Sequence, residues 1–214
     1  MDLGVEQEKT LKSQRMNYGL FARLLFFMMD VFYGKKRTLV KFRILELLAR
    51  IPYQAWEQGA YCDITRKYEN TGRAYKIHQF LKKTREQQDN ELWHLLILEE
   101  LIQNMNIKEN YIYHGIFPQL AAFMYYIASW LIYKINPRIS FTFNAWFEDH
   151  AEHEYMLFTK ENPQFDQMEF DSTFKSVYGD YKTYGDVFRR IGVDERKHKK
   201  ESLEYLEHFD LPTI

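Results

Sequence analysis

Apolar residues recur every three or four positions through most of the chain, and this period predicts α-helices. Gly and Pro are few, at 9 and 5 of 214 residues. The dipeptides Asn-Gly and Asp-Gly, which are typical of β-hairpin turns, do not occur. We therefore predict an all-α chain in which 1–214 form a single domain. The helices are expected near 14–33, 38–60, 75–105, 108–134, 138–160 and 183–208.

Two of these helices are much more apolar than the others. Tyr111 to Tyr133 contains no Asp, Glu, Lys or Arg over 23 residues. Leu20 to Tyr33 is apolar except for Arg23 and Asp30, which are seven residues apart and share one narrow stripe of a helix. This pattern is typical of a helix lying in a bilayer surface. The alternative is a helix buried against a partner chain.

Composition excludes several classes of function. A net charge of −1 argues against a nucleic-acid partner, which would require a strongly basic face. The single Cys62 excludes an internal disulfide framework and a cysteine-based zinc site. Aromatic residues make up 17% of the chain and charged residues 28%. This balance suits a protein with one apolar surface and one polar, solvent-exposed surface, but a large aromatic core would explain it equally well.

The pattern Glu-x-x-His occurs twice, as Glu91 to His94 and as Glu195 to His198. Residues three apart share a helix face, so each pair can point at one metal ion. Each pair follows a helix with a Glu in an apolar setting: Glu46 lies 45 residues before Glu91, and Glu148 lies 47 residues before Glu195.

This repeated order matches the ligand inventory of ferritin-like di-iron bundles, in which two helices supply one Glu each and two supply Glu-x-x-His. A ligand set of carboxylates and imidazoles without thiolate suits iron or manganese. The predicted fold is therefore a ferritin-like four-helix di-iron bundle with two additional membrane-surface helices near 14–33 and 108–134. For Glu46 alone, a salt bridge to a core Arg is the competing interpretation. Glu152, one turn after Glu148, is the main rival ligand.

The predicted ligand set has two half-sites, one on the helices before residues 111–133 and one on the helices after them. This division constrains the membrane arrangement. Residues 111–133 connect the helix of Glu91 to the helix of Glu148. If this stretch crossed the bilayer once, the half-sites would lie on opposite sides and could not share metal ions. We therefore expect it to lie on the membrane surface, together with residues 20–33. No cleaved signal peptide is expected, because Arg23 interrupts the early apolar run and no small-residue cleavage site follows.

Four sequence blocks resemble the signature motifs of the alternative oxidases. They are LELLARIPY at 45–53, NELWHLLILEEL at 90–101, EDHA at 148–151 and DERKH at 194–198. The first two look closest to the plastid terminal oxidases, the plastoquinol oxidases. The resemblance covers about residues 15–208 in the family's order.

The resemblance implies an enzyme that oxidises quinol (plastoquinol or ubiquinol) and reduces dioxygen to water at two iron ions, without pumping protons. It implies a homodimer attached to one leaflet. Chloroplast members of the family carry a transit peptide and a longer connection between the fifth and sixth helices, and this chain shows no obvious form of either, so we expect the thylakoid or cytoplasmic membrane of a cyanobacterium-like cell. The metal ligands that match the motifs are Glu46, Glu91, His94, Glu148, Glu195 and His198. Tyr155 matches the family's redox-active tyrosine, and Asn90 and Asp194 match positions that orient ligands.

The predicted quinol pocket departs from the family pattern. Lys41 stands where the family usually has Arg, five residues before the first Glu, and Arg43 is close enough to substitute. Lys does not reproduce the forked donors of Arg. Glu154 stands where Thr is common, and Leu45 and Phe147 complete the predicted substrate-binding set.

Two other functions compete with quinol oxidation as interpretations of the sequence. One is a membrane-bound di-iron hydroxylase acting on a quinone ring. The other is a non-enzymatic, amphipathic, membrane-associated bundle. Product analysis separates the first from an oxidase, and metal analysis separates the second.

Overall fold

The fold is almost entirely helical. The computed structural model describes residues 1–208. Its α-helices are α1 (Leu3–Lys12), α2 (Leu20–Tyr33), α3 (Leu39–Lys67), α4 (Thr71–Asn104), α5 (Phe117–Ile135), α6 (Pro137–Glu161), α7 (Lys175–Tyr178) and α8 (Tyr184–His208). A π-helical turn, Ile112–Ile116, leads into α5, and a 3-10 turn, Pro163–Asp166, follows α6. Extended pairing in the described residues is limited to one bridge, between Glu169 and Thr183. The predicted all-α class is confirmed.

Polar side chains set the starts of the long helices. Thr38 accepts a hydrogen bond from the backbone N–H of Lys41, and Asn70 accepts one from that of Arg73. Asn136 accepts from the N–H of Arg138, with Pro137 at the first helical position. These side chains satisfy N–H groups that have no partner within the helix. Helix α3 runs seven residues beyond its predicted end at 60, and α4 begins four residues before its predicted start at 75.

Helices α3, α4, α6 and α8 form the bundle. The most extensive interfaces join α3 to α4 and α6 to α8. One apolar cluster, which includes Ile97, Leu98 and Phe188, closes one end of the bundle interior. A second, which includes Trp56 and Phe80, closes the other. On each bundle helix the six predicted metal ligands lie between the positions that feed these two clusters. Their side chains are therefore shielded from water on both sides.

The N-terminal region differs from the prediction. The structure contains a separate helix, α1, which was not predicted, and residues 14–19 are not helical. Helix α1 is capped by Asp2, which accepts from the N–H groups of Gly4 and Val5. In the following segment, the N–H of Met16 and the hydroxyl of Tyr18 both donate to Asp149 on α6. These tertiary bonds hold a non-helical backbone at residues 14–19, where a helix was predicted.

Helix α5 and the turn before it form the apolar stretch 112–135. Pro118 has no N–H and its ring crowds the preceding turn, and the chain there forms the wider π-helical turn. Among the described residues, Ile112–Ile135 is the one helical stretch long and apolar enough, by length and composition, to cross a bilayer.

An exposed apolar surface, which we call the apolar face, covers the outer sides of α2 and α5. Its members are exposed large hydrophobic side chains: Leu20, Phe21, Leu24, Phe27, Val31, Phe32, Phe117, Leu120, Phe123, Met124, Ile127 and Leu131. Between the two helices lies an apolar cavity of about 380 Å³, lined by Met28 and Phe32 from α2 and by Leu120 and Met124 from α5. Residues of both helices line this cavity, so the two exposed surfaces are neighbours.

Candidate metal centre

The structure brings the six predicted metal ligands together inside the bundle. Glu46 comes from α3, Glu91 and His94 from α4, Glu148 from α6, and Glu195 and His198 from α8. All six residues are buried, with at most 2% of the surface of any one exposed. Helical periodicity places each Glu-x-x-His pair on an inward face, and packing of the four helices brings these faces together.

The six residues form two overlapping groups of possible ligands. Glu46, Glu91, His94 and Glu195 make the first, and Glu91, Glu148, Glu195 and His198 the second. Within each group the ligand-type atoms lie within 4.8 Å of one another. Glu91 and Glu195 belong to both groups. This is the arrangement expected for two metal ions bridged by two carboxylates.

Both histidines turn the same ring nitrogen towards the carboxylates. His94 Nδ1 lies 3.2 Å from Glu195 Oε1 and 3.3 Å from Glu46 Oε2. His198 Nδ1 lies 2.6 Å from Glu91 Oε1. Each group therefore has one imidazole nitrogen aimed at its centre, which is consistent with both histidines acting as ligands.

The donor atoms fit two divalent cations. Both carboxylate oxygens of Glu91, both of Glu195, and Oε2 of Glu148 are buried, and within residues 1–208 no donor other than the two imidazoles comes near them. No Lys or Arg within residues 1–208 forms an ion pair with any of the four glutamates of the centre. Buried carboxylates without a partner are costly unless a cation is bound. The oxygen and nitrogen donor set is one that iron and manganese accept.

Burial controls the protonation of the centre. It raises the pKa of Glu46 and of Glu148 well above the ordinary range, and the negative charge of Glu195 raises both further. Burial also favours protonation of Glu91, but the neighbouring His198 and His94 outweigh it and hold the pKa of Glu91 below its usual value. Without cations the centre retains protons, so metal binding releases them.

Tyr155, which the family resemblance assigns as a redox-active tyrosine, lies against the centre, and its redox role stays a prediction. It is fully buried, and its hydroxyl donates a hydrogen bond to Glu46 Oε1. The ring of Phe42 packs on it with the centroids 4.3 Å apart. The phenol is therefore held in one orientation beside a candidate ligand.

Sequence reasoning missed two further residues at the centre. The hydroxyl of Tyr53 donates to Glu148 Oε1 at 2.6 Å. Asn144 Nδ2 lies 2.9 Å from the same oxygen and 2.8 Å from the Tyr53 hydroxyl. A signal was available: Tyr53 follows Glu46 by seven residues, as Tyr155 follows Glu148.

The two residues predicted to orient ligands lie beside the histidines. Asp194 Oδ2 lies 3.6 Å from His94 Nε2 and accepts a hydrogen bond from the hydroxyl of Tyr178 at 2.9 Å. Asn90 lines a polar cleft of about 180 Å³ between α4 and α8, together with Asp194 and His198. Asp194 therefore lies close to the outer nitrogen of His94 but beyond hydrogen-bond distance, whereas Asn90 lines the cleft beside His198, and the orienting role of both residues stays a prediction.

The five predicted quinol-binding residues lie in different environments. Lys41 Nζ pairs with Asp30 at 2.5 Å. Arg43 pairs with Glu99 and Glu109 and lines a cleft that includes His114 and Pro118. The remaining residues are Leu45 and Phe147, both in the apolar cluster next to α2, and Glu154, which pairs with Arg15 and Arg37. Their role in quinol binding stays a prediction.

Glu152, the rival to Glu148, lies outside the centre. Its carboxylate pairs with Lys199 at 2.6 Å and with Arg196 at 2.7 Å, and it accepts from the hydroxyl of Thr10. Asp149 pairs with the same Lys199 at 2.8 Å. The structure therefore places Glu148, and not Glu152, among the candidate ligands.

Comparison with known proteins agrees with the resemblance found in the motifs. The chain matches the family described as "Alternative oxidase" over residues 5–205, which include all six residues of the centre. It is 31% identical over 132 residues to "Ubiquinol oxidase 4, chloroplastic/chromoplastic" of Arabidopsis thaliana. This match covers 62% of the chain but only 34% of the relative, so the chain spans about a third of that protein's length. The predicted family, near its plastid branch, is confirmed. The chain belongs to the alternative oxidase family.

Proposed function

We propose that this protein is a quinol:oxygen oxidoreductase that reduces dioxygen to water at a di-iron centre. The observation that carries the proposal is the pair of four-residue groups that share Glu91 and Glu195. Two iron ions held there would supply the redox chemistry between quinol and dioxygen. Two quinols give four electrons and four protons, which balance the reduction of one dioxygen to two waters. No proton needs to cross a membrane.

The residues of the chain have separable tasks in this proposal. Glu46 and His94 would hold one ion, Glu148 and His198 the other, and Glu91 and Glu195 would bridge them. Asp194 would keep His94 oriented through its Nε2 side, because an outer partner fixes a ligand ring. Tyr155 holds a phenolic proton against Glu46. The apolar clusters on either side exclude water from the centre.

We infer that the protein attaches to one leaflet of a membrane. The apolar face of α2 and α5 is far larger than the scattered apolar residues of an ordinary soluble surface. Helices α4 and α6 flank residues 112–135, yet Glu91 and Glu148 lie in one group. A single crossing by 112–135 would separate them, so the helix is proposed to lie on the bilayer. The proposed location is the thylakoid or cytoplasmic membrane, with the protein as a homodimer.

The central test is oxygen uptake by the purified protein loaded with ferrous iron. We expect uptake with ubiquinol or plastoquinol analogues, at one dioxygen per two quinols, and about two irons per chain. Glu91→Ala should abolish both iron binding and uptake. Glu204→Ala, which removes an exposed acid on α8, is the matched control and should retain both. A hydroxylated quinone product would overturn the oxidase in favour of a hydroxylase.

Vesicle flotation tests the membrane proposal separately. Phe27→Asp and Phe123→Asp place charges on the two helices of the apolar face, where the side chains are 63% and 61% exposed. Together they should release the protein from anionic vesicles. Tyr75→Asp, at a 65% exposed position on α4 outside that face, should leave binding unchanged. Equal binding by all variants would contradict the attachment.

A further inference from the structure

Tyr53 and Tyr155 occupy equivalent places on α3 and α6. Tyr53 follows Glu46 by seven residues and Tyr155 follows Glu148 by seven. Seven residues make about two helical turns, so each tyrosine lies on the same helix face as its own Glu. The hydrogen bonds cross between the helices. Tyr155 donates to Glu46, and Tyr53 donates to Glu148 at 2.6 Å. The centre is therefore anchored from two sides by a reciprocal pair of tyrosines.

The two carboxylate oxygens of Glu148 differ in their hydrogen bonds, because Tyr53 donates to only one of them. Oε1 receives the Tyr53 hydroxyl and the Asn144 amide. Oε2 is buried and has no hydrogen-bond partner. Glu148 belongs to the group with Glu91, Glu195 and His198. One oxygen is thus fixed by the protein, and the other remains to bind a metal ion.

We propose that Tyr53 is a positioning residue of the metal centre, which holds Glu148 so that it offers a single oxygen to the ion it shares with His198. The proposal rests on the metal site of the proposed function and extends it to a residue outside the six ligands. Freed from Tyr53, the carboxylate would be able to rotate and to bind through both oxygens. The coordination of that ion would then change.

The surroundings of Tyr53 fix the direction of its hydrogen bond. The ring is fully buried, with Trp56 edge-on at 5.1 Å and His198 at 5.8 Å between centroids. Asn144 Nδ2 donates to the phenol oxygen, so the phenol proton is directed to Glu148. Tyr155 differs, because its ring packs against the apolar Phe42. The surroundings of the two tyrosines therefore differ: an amide contacts the hydroxyl of Tyr53, whereas an apolar ring packs on the ring of Tyr155.

The experiment is a cobalt(II) titration of the metal-free full chain, followed by the visible absorption of the bound ion. Tyr53→Phe removes only the hydroxyl and keeps the ring. We expect one of the two cobalt ions to bind about tenfold more weakly, as is typical when an outer hydrogen-bond partner is lost, and its absorption band to shift. Tyr184→Phe is the control, because the Tyr184 hydroxyl is bonded to the backbone oxygen of Asp171 away from the centre. It should match the wild type.

The outcomes separate this inference from the proposed function. If the wild type binds no cobalt, the metal centre itself is wrong. If the wild type binds two ions and Tyr53→Phe gives the same isotherm and spectrum, the positioning role is wrong. Should Tyr53→Phe fail to fold by circular dichroism, Asn144→Ala is the substitute, because it removes the amide that directs the Tyr53 proton to Glu148 and that donates to the same Oε1. Asn144→Ala should then bind one cobalt ion more weakly. A wild-type spectrum and isotherm for this variant would overturn the proposal.

Discussion

Two buried acidic clusters both include residues of helix α6, and they differ in what neutralises them. The metal centre contains Glu91, Glu148 and Glu195, and the second cluster contains Asp149, Glu152 and His153. In both, ligand-type atoms lie within 4.8 Å of one another. In the second cluster, Lys199 reaches both acids and Arg196 reaches Glu152. Among residues 1–208, no such cation pairs with the glutamates of the metal centre.

This difference separates a structural cluster from a candidate metal site. Proximity of acids and histidines is the same in both, so proximity alone does not identify a ligand set. A buried carboxylate requires a positive partner, and within residues 1–208 a Lys and an Arg pair with Glu152, whereas no Lys or Arg pairs with Glu148. The second cluster also ties α1 to the bundle, since Thr10 donates to Glu152 and Arg196 pairs with Glu6. These contacts hold the N-terminal segment against α6 and α8.

The largest expected effect comes from removing a shared ligand of the metal centre. Glu195→Ala should reduce bound iron from about two ions per chain to less than one, because both groups lose a carboxylate. The loss of affinity should exceed the roughly 10–100-fold typical of losing an outer partner. Elemental analysis after reconstitution measures it. Glu152→Ala is the comparison, and it should keep two irons. An equal loss of bound iron in both variants would contradict the distinction between the two clusters.

The next effect is on stability and concerns the second cluster. Lys199→Met leaves two acids, each only 2% exposed in its side chain, without their shared cation. Breaking a buried ion pair in this way costs about 3 kcal/mol. The free energy of unfolding from urea titration, measured at pH 7, should fall by that amount while iron content stays near two. A variant as stable as the wild type would show that Arg196 alone neutralises the cluster.

A smaller effect is expected in the pH dependence of stability. Burial favours protonation of Glu152, but hydrogen bonds from Lys199, Thr10 and Arg196 outweigh it and lower its pKa below 4.5. The carboxylate therefore stabilises the fold above pH 4.5, and this contribution is lost as the pH falls towards the folded-state pKa. In urea titrations of metal-free protein between pH 7 and pH 4, Lys199→Met should lose less stability than the wild type. Parallel profiles would contradict this.

The smallest expected effect comes from breaking an ion pair that is exposed to water. Arg85 pairs with Glu57 at 2.6 Å, but half of the Arg85 side chain is exposed. Such a pair contributes less than about 1 kcal/mol, and salt screens it. Arg85→Ala should therefore change the urea midpoint little, and iron content not at all. A loss as large as that of Lys199→Met would mean that burial is not what distinguishes these pairs.

Much of the metal centre was predictable because its pattern is local to each helix. The spacing Glu-x-x-His places both side chains on one helix face wherever the helix lies, so Glu91, His94, Glu195 and His198 could be selected from sequence. Tyr53 follows Glu46 at the spacing that links Tyr155 to Glu148. It was missed because nothing in its own segment indicates a partner on α6.

The environments of charged residues were much harder to predict. Glu148 and Glu152 lie one turn apart with similar neighbours in sequence, and their partners on other helices separate them: Lys199 and Arg196 pair with Glu152, whereas Tyr53 donates to Glu148. Helix α1 was missed because its contacts are with α6 and α8, more than 130 residues away, and because the short segment has little apolar character of its own. Lys41 and Arg43 were grouped by sequence, yet they pair with Asp30 and with Glu99 respectively.

The order of residues along the chain was enough to predict the helical class, the two Glu-x-x-His pairs and the resemblance to a known family, because each depends on spacing within one segment or on order along the chain. Only the packing of the helices shows that Glu91 and Glu195 belong to both groups, that Tyr53 reaches Glu148 and that Lys199 pairs with Asp149 and Glu152. The reason is physical. Helical periodicity fixes which face a side chain occupies, whereas its partner depends on how distant helices pack.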